Sequence, residues 1–242
     1  MTGTEQRSVD VGGLTISYRV AGDPAAPPML LLHALGEDGR DWQGVLPDFA
    51  GTHRVYVPDL RGHGASGYPG KYSFELMRDD IIGLLDAIGV AETVLIGHSL
   101  GGMVAILLAE AAPQRLTRLV LEDCPPPRPG ALHRPPLEPP DEPLPFDFAV
   151  VNPIRFQLTN PDPAWWERTA GVTVPTLVIG GGPESQIPQE MLAELADRMP
   201  NATFVTIPAG HHVHRNQPTA FITTVRTFLT RTPTLFKDIY PD

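Results

Sequence analysis

Residues 93–113 read TVLIGHSLGGMVAILLAEAAP, and the fold turns on how that run divides. Thr93 to Ile96 form a short, continuous apolar run of the kind that suits a strand buried on both faces of a sheet. Leu100 to Pro113 are almost wholly apolar, which fits a buried helix. Between the two lies Gly97-His98-Ser99-Leu100-Gly101, a G-x-S-x-G pattern. Where a strand turns sharply into a helix, the residue at the turn is forced into strained backbone angles. Flanking glycines leave room for neighbouring backbone to approach. The Ser99 hydroxyl then projects above the sheet edge, beside the positive end of the following helix. The bare pattern carries little information, because glycine and serine are common. The strand before it and the helix after it give it mechanical meaning. The plainer alternative is a strand-to-helix turn with a serine N-cap.

The same alternation runs outward in both directions. Residues 14–20, 29–35, 54–60, 116–123, 176–181 and 202–209 are further strand candidates, and the first follows a Gly-Gly turn as part of an antiparallel hairpin. Helical patterns fall at 73–89, 100–113, 188–199 and 218–230. In the first of these, Leu76, Ile81, Leu84, Leu85 and Ile88 are expected to share a buried face, with Ser73 as N-cap and Gly89 as the stop. Strands alternating with helices predict one α/β domain over 1–242, with a mostly parallel sheet flanked by helices.

Between the candidate strands at 116–123 and 176–181 the alternation breaks. Thirteen prolines lie between Pro125 and Pro163, so only short helices are expected there, around 148–158 and 163–171. Residues 124–173 read as a cap inserted over the end of the sheet. Phe146, Phe148, Phe156, Trp165 and Trp166 are expected to pack against the body beneath it. A mobile surface loop is the alternative.

Composition narrows the function classes. The formal charge is −10, which disfavours nucleic acid as a partner. No run reaches the roughly 18–20 apolar residues of a membrane-spanning helix. A single cysteine, Cys124, rules out an intrachain disulfide. With no signal-peptide pattern at residues 1–13, a cytoplasmic location is expected.

A serine hydroxyl is a poor nucleophile at neutral pH and needs a base. The candidate base lies late in the chain, in PAGHHVHRNQP (208–218), which holds His211, His212 and His214. Surface histidines and a metal cluster are the other readings. No carboxylate or cysteine lies near them in sequence to complete a metal site, so neither metal nor cofactor is expected.

Four blocks in order, LLLHALGEDGRDW (30–42), VPDLRGHGASGYPG (57–70), VLIGHSLGGMVA (94–105) and IPAGHHVHRNQP (207–218), make the chain resemble the α/β-hydrolase superfamily along nearly its whole length. The resemblance implies an α/β-hydrolase fold with Ser99 as nucleophile. It implies His211 as base, because the catalytic histidine directly follows the glycine of the last block. The backbone N–H of Leu100 and that of Leu35 are implied as oxyanion donors. Ala34 stands where the family usually has glycine, so the Leu35 assignment requires that residue 34 not need a positive φ. His33, Asp59, Arg61 and His63 read as a turn-stabilising network.

The third member of the triad is the open position. Most relatives place the acid just after the strand at 176–181, where this chain has only Glu184. Others place it after the preceding strand, here Glu122-Asp123. Asp123 is favoured over Glu184 because it extends from a core strand rather than a glycine-rich loop. Glu122 and Asp123, as neighbours on a strand, point oppositely, so only one of them can face the histidine; Asp123 is the one favoured. The implied chemistry is cleavage of a small apolar or aromatic carboxylic ester, thioester or lactone through an acyl-enzyme. Serine at the elbow argues against the aspartate-nucleophile relatives, such as haloalkane dehalogenases and most epoxide hydrolases. Relatives with the same triad also cleave carbon–carbon bonds or use peroxide. The reading from another class is a hydrolase-like small-molecule receptor with weak or no turnover.

Overall fold

The computed structural model describes residues 3–130 and 134–230. Eight strands form one sheet in the order β1-β2-β4-β3-β5-β6-β7-β8. They are β1 (Glu5–Val11), β2 (Leu14–Ala21), β3 (Pro28–Leu32), β4 (Arg54–Pro58), β5 (Thr93–His98), β6 (Leu116–Glu122), β7 (Thr176–Gly180) and β8 (Ala202–Thr206). β1 pairs with β2, and β2 with β4, in antiparallel fashion. All the other pairings, from β4–β3 through to β7–β8, are parallel. The helices are α1 (Leu46–Ala50), α2 (Phe74–Ala87), α3 (Leu100–Ala111), α4 (Val151–Thr159), α5 (Ala164–Arg168), α6 (Gln189–Arg198), α7 (Val213–Asn216) and α8 (Pro218–Thr230).

Alternation along the strands feeds two cores. Leu30 and Leu32 of β3 point into one, with α2, α3 and α6. Met29 and Leu31 point into the other, with Trp42, Phe49 and the apolar face of α8. β5 is buried at every position because it lies mid-sheet between β3 and β6. That explains its unbroken apolar run.

Helix α2 starts where expected, with the Ser73 hydroxyl accepting from the Leu76 N–H at 3.1 Å. Its buried face differs from the expected one: Phe74, Met77, Asp80, Ile81, Leu84 and Leu85 are buried, while Leu76 and Ile88 are only partly covered. The helix is rotated because Asp80 faces inward, where it forms a two-pronged pair with Arg61 at 2.5 Å on each oxygen. A carboxylate thus occupies a place the apolar pattern alone would give to a hydrocarbon side chain.

The proline-rich stretch between β6 and β7 carries α4 and α5 and lies against the body. Trp165 packs edge-on against Phe74 at 5.8 Å between ring centroids. Phe146 stacks on His63 at 5.5 Å. The Arg128 guanidinium lies 4.1 Å above the Trp166 ring, a cation–π contact. Phe156 departs from expectation. It is 66% exposed, on the outer side of α4, while Ile154 on the same helix is buried. Among the described residues, no helix is long and apolar enough to cross a membrane.

Candidate active site

The site sits where the parallel strands end, at the carboxyl edge of β3, β5, β6 and β7, the usual place for a ligand in an open α/β sheet. Ser99 follows β5 with φ 51° and ψ −112°, a conformation L residues rarely hold. Such strain costs of order 1–3 kcal/mol and persists only where the surroundings enforce it. Here packing on both flanks enforces it. A Cβ added at Gly97 would lie 2.4 Å from the Gly101 carbonyl oxygen, and one at Gly101 would lie 2.4 Å from that of Leu32. Both obstacles are backbone, so neither can swing aside. Gly101→Ala is therefore expected to lower stability by about 1–3 kcal/mol and to shift the start of α3. Urea denaturation checks this, with Gly171→Ala as control, since an added methyl there meets nothing within 4 Å.

Leu100 is the first residue of α3, so its N–H has no acceptor within the helix. Leu35 lines the same cavity as Ser99 and Leu100. Among the described non-glycine residues only Ser99 and Asp123 have positive φ, so alanine at 34 is compatible with the loop. That loop is locked by two neutral histidines. His33 donates from Nδ1 to the Ala34 carbonyl at 2.7 Å and accepts at Nε2 from the Leu60 N–H. His63 donates to the Arg61 carbonyl and accepts from the Gly36 N–H. Burial and the neighbouring His33 push the His63 pKa down to about 3, and burial likewise lowers that of His33. Asp59 ties the same region together, accepting from the N–H groups of Gly39 and Ala65 and from Arg19.

His211 and Asp123 meet. His211 Nδ1 lies 2.7 Å from Asp123 Oδ2. Nδ1 is the donor there, since an ionised carboxylate only accepts, and Nε2 of the neutral ring is left as a base. Asp123 is fully buried and follows the last residue of β6 with φ 49°. Its carboxylate also accepts from the Gly181 N–H at 3.0 Å, from the Ser185 hydroxyl and from Gln189 at 3.3 Å. Glu184 is exposed on the glycine-rich loop. That loop supplies donors, Gly181 and Ser185, to an acid that comes from the neighbouring strand. Ser185 and Gln189 escaped the sequence reading, and the only sign of them there was that polar residues follow the Gly-Gly-Gly turn.

Glu122 faces away from this pair, into a second buried cluster. Its carboxylate accepts from His214 Nδ1 at 2.8 Å and from the His214 N–H at 2.9 Å. His214 Nε2 lies 3.1 Å from Asp41 Oδ1, and Arg215 also donates to Asp41. Burial opposes charge on His214, but the Glu122 charge and the Asp41 hydrogen bond outweigh it and raise its pKa to about 10. Burial also opposes charge on Asp41, yet its carboxyl is held well below the ordinary range by His214. His98, the second residue of the G-x-S-x-G run, donates from Nε2 to the His211 carbonyl at 2.8 Å. Ligand atoms of His98, Glu122 and His214 lie within 4.8 Å of one another. Both ring nitrogens of His214 are spent on carboxylates, however, so the group is an internally compensated ion cluster. The carboxylates absent from the histidine loop in sequence arrive from β6 and from the turn at residue 41.

Ser99, Asp123 and His211 open on one cavity of about 330 Å³, whose apolar wall includes Met103, Ile154, Leu158, Ile187 and Met191. Cys124 also lines it, but burial and the adjacent Asp123 raise its thiol pKa far above the usual value, leaving it unreactive.

The model of the alpha/beta hydrolase fold family matches residues 27–152, just over half of the 242-residue chain. A putative esterase/lipase of Haemophilus influenzae is 27% identical over 241 residues, spanning 85% of this chain and 84% of its own. Epoxide hydrolase 4 of Mus musculus is 38% identical over 118 residues, 48% of this chain but only 33% of its own length. The crystal structure of a hydrolase from Pseudomonas aeruginosa superposes with a TM-score of 0.81 at 27% identity, covering 94% of this chain and 99% of that one. With its sheet order, its strained serine turn and these similarities, the chain belongs to the α/β-hydrolase family of enzymes.

Proposed function

We propose that the chain is a serine hydrolase acting on a small apolar or aromatic carboxylic ester, thioester or lactone. The observation that carries this reading is the 2.7 Å hydrogen bond from His211 to Asp123, at a cavity that also exposes the strained Ser99. In this reading His211 Nε2 takes the Ser99 proton as Oγ attacks the carbonyl carbon. The Leu35 and Leu100 N–H groups receive the oxyanion, each donor contributing about 3 kcal/mol. Asp123 holds the imidazole in the Nδ1–H tautomer and stabilises the imidazolium as it forms. His211 next protonates the leaving group. It then activates water against the acyl-enzyme. Residues 124–173 act as a cap that shields these steps from bulk water.

The similarity to epoxide hydrolase 4 covers a third of that protein. The elbow residue here is a serine, which favours acyl transfer over attack by a carboxylate. A fluorophosphonate probe tests the reading. One equivalent is expected to bond covalently to Ser99 oxygen with loss of fluoride, and Ser99→Ala is expected to take up none. Tight small-molecule binding without labelling or turnover is the result that would put a receptor in place of the enzyme.

A further inference from the structure

The cavity wall contains several charged or ionisable groups, and all but one are compensated. Asp123 is bonded to His211. Glu37 pairs with Arg215 at 2.6 Å. His212 lies 3.9 Å from Glu37, and burial together with the neighbouring His98 and His211 lowers its pKa, which keeps the ring neutral. Arg134 is the exception. It reaches the cavity from the proline-rich insertion, and no carboxylate lies within ion-pair distance of it among the described residues. Its Nε is buried without a hydrogen-bond partner among the described residues. Its backbone is fixed, since its N–H donates to the Thr159 hydroxyl at 3.0 Å and its carbonyl accepts from that hydroxyl at 3.3 Å. Thr159 ends α4, the helix whose Ile154 and Leu158 line the same cavity.

We propose that Arg134 is a substrate-binding residue that receives a carboxylate carried by the substrate, apart from the scissile carbonyl and separated from it by an apolar spacer. The proposal rests on the serine-hydrolase reading of the site and names the substrate class within it. A buried, unpaired polar donor is costly, and a bound anion would relieve the cost. Burial and the nearby Arg155 already weigh against the Arg134 charge, so an incoming carboxylate would meet a cation that lacks compensation. Leu158 and Ile154 give the spacer an apolar surface. The protein as a whole is strongly acidic, at −10, and its general field repels anions. A single uncompensated guanidinium within the cavity thus acts locally and selectively. The planar fork of arginine suits a carboxylate, which it can hold with two parallel hydrogen bonds.

The test compares p-nitrophenyl hemiesters of adipate and suberate with the same compounds capped as methyl esters. Wild-type enzyme is expected to favour the free carboxylate by about 10–100-fold in kcat/KM, the range of a charge-assisted hydrogen bond. Arg134→Gln is expected to remove that preference, mainly through KM, and Arg134→Lys to restore part of it. The ratio of the two substrates within each variant cancels differences in folded fraction. Equal use of charged and capped esters by the wild type, or a preference unchanged in Arg134→Gln, overturns the proposal while leaving the hydrolase reading intact. Failure of the wild type both to cleave any of these esters and to take up fluorophosphonate overturns the hydrolase reading, and the Arg134 assignment falls with it.

Discussion

Replacing Ser99 by alanine or His211 by alanine is expected to cut kcat on a p-nitrophenyl ester by about 10⁵–10⁶-fold, and combining the two to cost little more. The near-equality follows from the proposed mechanism. A serine without its base, or a base without its serine, leaves only the oxyanion donors and binding. Asp123→Asn is expected to cost about 10⁴-fold while preserving shape. An asparagine that turns its amide nitrogen to His211 offers a donor where Nδ1–H needs an acceptor. The ring then moves its proton to Nε2, the atom that must accept from Ser99. Glu184→Gln is the control, because Glu184 is exposed. It is expected to keep turnover within twofold. Steady-state kinetics with active-site titration decide the matter. Near-normal turnover in Asp123→Asn, with loss in Glu184→Gln, would move the acid to the glycine-rich loop.

What the sequence made legible here was whatever is local. The elbow is written in five residues, because the steric demand of a strand-to-helix turn falls on neighbours in the chain: Gly97 and Gly101 are crowded by backbone. The insertion's short helices were readable because proline confines them, and α4 and α5 fall at Val151–Thr159 and Ala164–Arg168. The favoured acid could be argued from its place at the end of a core strand. What no local pattern held was the company each side chain keeps. Nothing local to Asp80 foretells that its carboxylate is buried against Arg61, 19 residues away. Phe156 reads as an anchor by its chemistry, yet α4 rotates it to solvent while Ile154 goes inward. Asp41, His98, Glu122 and His214 come from four separate segments, following β3, ending β5, ending β6 and following β8, and only the folded sheet gathers them.

Glu122→Gln is expected to destabilise the fold by about 3–5 kcal/mol, the usual loss when one partner of a buried ion pair is removed. His214 would keep Asp41 and an amide oxygen at position 122 as acceptors, but it would lose the negative charge of Glu122 and its second acceptor oxygen. Every element around that imidazole contributes to its state. Glu122 comes from β6, Asp41 from the turn after β3, His98 from β5, and Arg215 from its own helix, with the Trp42 ring stacked on it at 4.2 Å. Because the folded pKa of about 10 lies above the ordinary imidazole value of 6.5, the stabilisation is full below about pH 6.5 and fades as pH rises toward 10. The carboxylates behave oppositely: Asp41 and Glu122 are lowered in the fold, so their contribution is present above the ordinary carboxylate range and is lost in acid. Urea unfolding at pH 6 and pH 9.5 separates these effects. The wild type is expected to lose several kcal/mol between the two, and Glu122→Gln to show a smaller pH dependence from a lower start. The loop that bears His211 is held by this cluster, through His98 to the His211 carbonyl and through Glu122 to the His214 N–H. Turnover of the variant is therefore expected to fall at temperatures below its global unfolding, and a variant as stable as wild type at pH 6 would show the cluster to be ornamental.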